Sequence, residues 1–198
     1  MISYQTTKQI LYPLLTKHKN IGIMLSGGID SGLLYYLCCI IRSEENLDFN
    51  IKLYNTYEGY VNVSERLNDY VCTQFGLSLV INKIELPTMH HSAYVFFAIG
   101  EALKTSEIVL LGDTTNAPVE LGGLEPNRSR STHARVFQPF FDYTKRDIIR
   151  ICKELNLEEL VSLSRSCTHP TKYVCNECYH CKERAWAFKE NNYIDIGI

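Results

Sequence analysis

The sequence has no excess of charge of either sign: 20 Lys and Arg stand against 22 Asp and Glu, a formal charge of −2 over 198 residues. It therefore lacks the basic footprint that dominates sequence-unspecific nucleic-acid affinity, and nucleic acid is not an expected partner. No basic stretch followed by an apolar core and a small-residue cleavage site stands at Met1 to Lys8, which predicts a cytoplasmic protein without a secretory signal. No apolar run suits a membrane span either. The richest region, Ile21 to Ile41, is interrupted by Ser26, Gly27, Gly28, Asp30 and Ser31. The phosphate-binding pattern G-x-x-x-x-G-K-S/T is also missing, which excludes an ordinary P-loop kinase or GTPase.

What is present is enough apolar material, 45% of residues, to bury one substantial core. Four short apolar runs, Ile21 to Leu25, Lys52 to Tyr54, Leu79 to Ile81 and Ile108 to Leu111, are bounded by Gly, Asn or charged residues and read as buried parallel strands. Between them the amphipathic stretches Gly32 to Ser43, Val63 to Phe75 and Ser92 to Lys104 read as helices. Strand and helix alternate at the length a crossover needs, so the expected fold is α/β, a doubly wound parallel sheet with ligands at the C-terminal strand ends. Further helices are expected over Thr6 to Lys19, despite Pro13, and over Thr144 to Leu155, with Thr144 as N-cap. Thr114 to Arg135 has neither period and reads as a functional loop or lid.

Leu25-Ser26-Gly27-Gly28-Ile29-Asp30-Ser31-Gly32 joins a predicted strand to a predicted helix. Consecutive N–H groups and the positive helix end then converge, which makes an anion site. Gly27 and Gly28 allow close backbone approach to a phosphate, and Ser26 and Ser31 offer hydroxyls. Asp30 is the odd member, since a carboxylate beside pyrophosphate repels unless it holds Mg²⁺ or caps the helix.

Of eight cysteines, Cys38, Cys39, Cys72 and Cys152 lie in apolar or helical patterns and read as buried thiols. Cys167, Cys175, Cys178 and Cys181 crowd one segment, at spacings that let two short turns wrap a tetrahedral ion. Four thiolates suit Zn²⁺, with an iron–sulfur cluster as the rival, and a closed four-Cys zinc site is structural, not catalytic. His169 and His180 beside the array could substitute for a thiolate, but read as surface or neighbouring groups. The array would fix Lys182 and Arg184, and Trp186 and Phe188 continue as a helix with core aromatics.

The Ser26-to-Ser31 run looks like the signature of the PP-loop ATP pyrophosphatases. Together with the cysteine array, the chain resembles the 7-cyano-7-deazaguanine synthases of that family. Val136 to Lys145 looks like the family's Pro-x5-Lys segment, Ser164 to Cys167 like its lead into the metal loop, and Gly112 to Asn116 like its turn after the fourth strand. Leu86 to Tyr94 stands where the family has Pro-Gly-Arg-Asn, and Thr168-His169-Pro170 where an aromatic and a glycine are expected.

The resemblance implies a PP-loop/HUP-like sheet domain over residues 1–160 and a zinc-binding segment, 161–198, packed on it. It implies ATP, Mg²⁺ and Zn²⁺ as cofactors, and a homodimer. The reaction implied takes 7-carboxy-7-deazaguanine and ammonia to 7-cyano-7-deazaguanine through adenylated intermediates. Leu25, Ser26, Gly27, Gly28, Asp30, Ser31 and Gly112 would hold nucleotide and metal, with Asp30, Ser31 and Lys145 as catalytic residues. Lys145 would neutralise phosphate charge from a helix's first turn, where a cation opposes the dipole. The alternatives are another adenylating PP-loop enzyme, such as one that thiolates or amidates tRNA or protein, and a non-catalytic nucleotide-binding partner protein.

Further candidates are His90 and His91 as titrating groups, and Arg128, Arg130, His133 and Arg135 as a lid clamping phosphates or a carboxylate. Tyr54, Asn55 and Tyr57 follow the second strand, where nucleotides often rest.

Overall fold

The computed structural model describes residues 2–56, 61–87, 91–121, 129–169 and 174–197, apart from the side chains of Val61, His91, Ser92 and Ala93. Helix α1 (Tyr4–Lys17) leads into β1 (Asn20–Met24), α2 (Ile29–Glu44), β2 (Asn50–Asn55), α3 (Val61–Phe75), β3 (Ile81–Lys83), α4 (His91–Leu103) and β4 (Ile108–Leu110). A 3₁₀ turn (Val119–Leu121), β5 (Val136–Phe137), α5 (Lys145–Glu154), α6 (Glu158–Leu163) and α7 (Tyr179–Glu190) complete the chain.

The strands pair in parallel in the order β3-β2-β1-β4-β5, giving the expected α/β sheet. Side chains alternate across it, as the two-residue repeat of a strand requires. Ile21, Ile23, Ile51, Leu53, Ile108 and Leu110 join the large core with α1, α2 and α5. Tyr54, Val109, Leu111 and Val136 face the other way and pack with Ala102 and Leu103 of α4 in a smaller cluster. From central β1 the chain builds outward through β2 and β3, then returns to β1's other side for β4. The order reverses between β1 and β4, and a crevice opens at the strand ends there.

Caps set the helix starts. Ser3 and Thr6 form a capping box at α1, which runs through Pro13. Thr144 caps α5 as its sequence position suggested: Asp147 Oδ2 accepts the Thr144 N–H at 3.0 Å and its hydroxyl at 2.7 Å. α7 packs on α5. Among the described residues no helix is long and apolar enough to cross a membrane.

Four details depart from the sequence reading. The third strand is Ile81–Lys83, not Leu79 to Ile81, because pairing with β2 begins at Leu53 opposite Ile81 and leaves Val80 81% exposed. β5 and α6, two and six residues long, are too short for periodicity to reveal. Cys72 is half-buried, not a core thiol like Cys38, Cys39 and Cys152. Trp186 packs on the core only partly buried, whereas Phe188 is within it.

Candidate functional site

The segment after β1 is tied down from several sides. Leu25 donates its N–H to the Tyr54 carbonyl at 2.8 Å, and its own carbonyl accepts from Asn55 Nδ2 at 2.8 Å and from the Ser64 hydroxyl at 3.1 Å. Ser26 donates its N–H to Ser31 Oγ at 3.2 Å, the two hydroxyl oxygens lie 3.0 Å apart, and Ser31 Oγ donates to the Gly28 carbonyl at 3.1 Å. The serine hydroxyls thus brace the loop from within. Gly27, at φ +89°, adopts a conformation that favours glycine, and Gly28 serves as N-cap of α2.

Gly112, just past β4, lies against the first turn of α2. A Cβ on it would come within 2.7 Å of the Ser31 amide nitrogen and 2.9 Å of the Asp30 carbonyl carbon. Its role is therefore steric: it lets β4 and the helix N-terminus meet.

Lys145 opens α5 and is almost fully buried. Its ammonium forms an ion pair with Asp30 Oδ2 and lies 3.9 Å from Glu183 Oε2 on α7. The two carboxylates offset the unfavourable helix-end position of this cation. The other Asp30 oxygen, Oδ1, is buried without a hydrogen-bond partner among the described residues. It suits a further cation or donor.

These groups border a cavity of about 470 Å³ at the switch point. The Ser26-to-Ser31 loop, Gly112 and Lys145 form its polar end, and Met24, Tyr54, Val63 and Ala98 supply an apolar wall. Arg165, Thr168 and His180 close a third side. Consecutive amides at a helix start, a buried cation and a half-satisfied carboxylate together fit a polyphosphate accompanied by a divalent metal.

The cysteines converge beside this third side. All four Sγ atoms lie within 4.8 Å of one another, with Cys167–Cys175, Cys175–Cys181 and Cys178–Cys181 at 3.6, 3.9 and 3.4 Å. One tetrahedral ion with metal–sulfur bonds near 2.3 Å places its sulfurs about 3.8 Å apart, so a single ion fits. A cluster with one thiolate per iron would spread them further. Backbone N–H groups of Glu177 and Cys178 hold the Cys175 thiol down to about 6, while burial pushes Cys181 up.

Two arginines anchor the surroundings of the array. The Arg165 N–H donates to the Gly27 carbonyl at 3.0 Å, and its guanidinium to the carbonyls of Cys167 and His169 at 3.3 and 3.1 Å. Arg184 is buried and bonded to Ser164 Oγ, the Val161 carbonyl and both carboxylate oxygens of Asp195, whereas Lys182 is exposed.

The described cations of the expected lid are not brought to the cavity. Arg130 pairs with Asp142 over the Phe141 ring, and Arg135 donates to the Leu103 carbonyl at 3.4 Å. Neither they nor His133 line the cavity, which corrects the expected arginine lid among the described residues. Arg128, His90 and Tyr57 lie outside the described residues, as does the side chain of His91. Tyr54 lines the cavity, but its hydroxyl contacts Thr105 Oγ1 at 2.6 Å and Ser106 Oγ at 3.1 Å, and Asn55 is a buried brace of Leu25. Sequence reasoning missed Arg165 as a wall of the cavity and Glu183 as the second anion at Lys145. Glu183 carried no signal of its own, since it stands between the charged Lys182 and Arg184.

Residues 110–192 match the family model for "Queuosine biosynthesis protein QueC". No curated protein matches the sequence. Among solved structures, NMN synthetase from Francisella tularensis is similar at a TM-score of 0.53 and 12% identity, covering 98% of this chain and 88% of that one. The U34-tRNA thiolase NcsA from Methanococcus maripaludis, solved with its 4Fe-4S cluster, gives 0.48 and 14%, over 94% and 72%. NAD+ synthetase from Burkholderia pseudomallei gives 0.44 and 13%, over 92% and 80%. At 12% identity the likeness to NMN synthetase is one of fold. The matched stretch begins inside β4 and holds Gly112, Lys145 and all four array cysteines, and the loop it faces across the switch point is Ser26 to Ser31, so over residues 110–192 the chain is similar to QueC.

Proposed function

We propose that the chain is an ATP-dependent adenylating enzyme that converts 7-carboxy-7-deazaguanine and ammonia to 7-cyano-7-deazaguanine. The observation that carries the reading is the pair of Asp30, in the first turn of α2, and Lys145, the first residue of α5, inside a cavity walled by the QueC-like segment. Residues 1–160 would form the ATP-pyrophosphatase domain and 161–198 the zinc-binding segment packed on it.

In this reading the amides of Gly27, Gly28 and the first turn of α2 receive the phosphates, with Leu25, Ser26, Ser31 and Gly112 fixing their positions. The substrate carboxylate attacks the α-phosphorus of ATP, the bond to the β-phosphate breaks, and pyrophosphate leaves. Lys145 offsets the charge that develops on the leaving group. Ammonia then displaces AMP from the acyl carbon, and a second adenylation on the amide oxygen precedes loss of AMP to the nitrile. Asp30, through Oδ1, would hold Mg²⁺, which neutralises phosphate charge when bound. Cys167, Cys175, Cys178 and Cys181 would hold Zn²⁺ as a structural ion.

The test is AMP and pyrophosphate release by zinc-loaded protein with ATP, Mg²⁺, ammonium and 7-carboxy-7-deazaguanine, beside Ser31→Ala and Lys145→Met controls. AMP that depends on the acid and is lost in Lys145→Met supports the reading. ATP binding without acid-dependent AMP would overturn the substrate assignment and direct the search to other acids or RNA.

A further inference from the structure

Glu183 has no part in the reading above, yet it is buried at 4% exposure beside the buried Lys145 ammonium at the phosphate end. Burying a carboxylate is costly unless it is paired and hydrogen-bonded. Its Oε2 is 3.9 Å from Lys145 Nζ, and its Oε1 accepts the Tyr179 hydroxyl at 3.5 Å. That hydroxyl in turn accepts the Ala117 N–H at 2.9 Å, from the stretch following β4. Tyr179 and Glu183 are four residues apart and so share a face of α7, the helix that Cys178 caps and whose first turn carries Cys181. The Lys145 ammonium is thus held between a carboxylate on α2 and one on a helix that begins inside the cysteine array.

One cation between two anions leaves a net negative charge, which suits a resting site that is about to receive more cation. Once Asp30 shares its charge with a divalent ion at Oδ1, its hold on Lys145 weakens, and Glu183 is the anion that keeps the ammonium aimed into the cavity rather than adrift. We propose that Glu183 is the positioning residue of Lys145, and that α7 couples occupancy of the cysteine array to the phosphate end of the cavity through it. The proposal rests on the reading of Lys145 as the phosphate-site cation.

Two measurements test it, and neither needs turnover. The first is acetylation of Lys145 by acetic anhydride, read by peptide mass spectrometry on the full chain. Lys145 should be protected in the zinc-loaded protein and label about tenfold faster both in Glu183→Ala and after chelation, with Glu183→Gln between, and with zinc content unchanged in both variants. The second is ATP affinity by calorimetry: Glu183→Ala should weaken it about tenfold in the natural background and not further in Lys145→Met. Unchanged labelling in both Glu183→Ala and chelated protein, or an additive loss in the double variant, overturns the proposal. Should Glu183→Ala fail to fold, Glu183→Gln and chelation decide. Lys145→Met with undiminished ATP affinity would instead overturn the phosphate-site reading, while the labelling still decides the coupling.

Discussion

Gly112 and Ser31 meet so closely that a single added carbon on the glycine would lie 2.7 Å from the serine's amide nitrogen. That atom belongs to backbone and cannot rotate away. Gly112→Ala should therefore push the end of β4 off the first turn of α2, costing about 1–3 kcal/mol of stability as overpacking does. It should also weaken ATP binding by at least about tenfold, since the helix amides shift with the turn. Urea unfolding and calorimetric titration measure the two effects. A stable variant with natural affinity would show that the contact is not tight in solution.

Metal removal separates the two chemistries open to the cysteine array. One zinc per chain should appear in native mass spectrometry, and the purified protein should show no charge-transfer absorption of iron–sulfur type. Chelation should lower the Tm and reduce helical circular dichroism, because α7 begins within the array. A visible iron–sulfur spectrum with four irons bound would reverse the assignment.

Asp195→Ala should destabilise the chain by about 2 kcal/mol, more than most substitutions near a terminus, because it strips the counter-ion from a guanidinium that is only 5% exposed. Part of the cost is relieved by water, since the Asp195 side chain is itself 30% exposed. Arg184→Met, which removes the buried charge, should rescue some of that loss in the double variant. Additive losses would argue against the pairing.

On the acid side, the pH dependence of stability has a resolved contributor in Glu44 at the α1–α2 contact. Burial raises the Glu44 carboxyl, but bonds from Lys8 at 2.7 Å and the Tyr4 hydroxyl at 2.6 Å outweigh it and leave it below its ordinary value of 4.5. A depressed folded-state value stabilises the protein above the unfolded one and is lost as pH falls through the folded one. Glu44→Gln should thus lower the Tm at pH 7, with the difference from the natural chain shrinking below about pH 4.5. Thermal melts across pH 3 to 7, at constant salt, check it. A constant difference would show that the effect is packing alone.

What the sequence made legible follows the range of each signal. β1 and β4 are buried on both faces, so their apolar runs were plain, and the loop chemistry of Ser26 to Ser31 is local. Glu183 was not legible because its meaning depends on Lys145, which lies 38 positions earlier and on another helix, by residue number. The arginines before β5 looked like a clamp because charge in a loop says nothing of direction, and Arg130 and Arg135 turn to Asp142 and Leu103 instead. The serine hydroxyls read as phosphate donors are occupied by each other and by Gly28, which composition alone could not show.

The ion pair of Asp30 with Lys145 spans 115 positions, and the clasp of Arg165 on Gly27 spans still more. Closing such long loops is slow relative to forming neighbouring strands and helices. As a ribosome releases the chain, the β1–α2 loop emerges long before the residues that complete its surroundings. An early-emerging half with a formed loop but no Lys145 lacks the buried cation proposed to face a phosphate, so the proposed nucleotide affinity should arise only once Lys145 and Arg165 have joined the fold. On the proposed function, ATP would be a ligand of the finished fold and not of its intermediates.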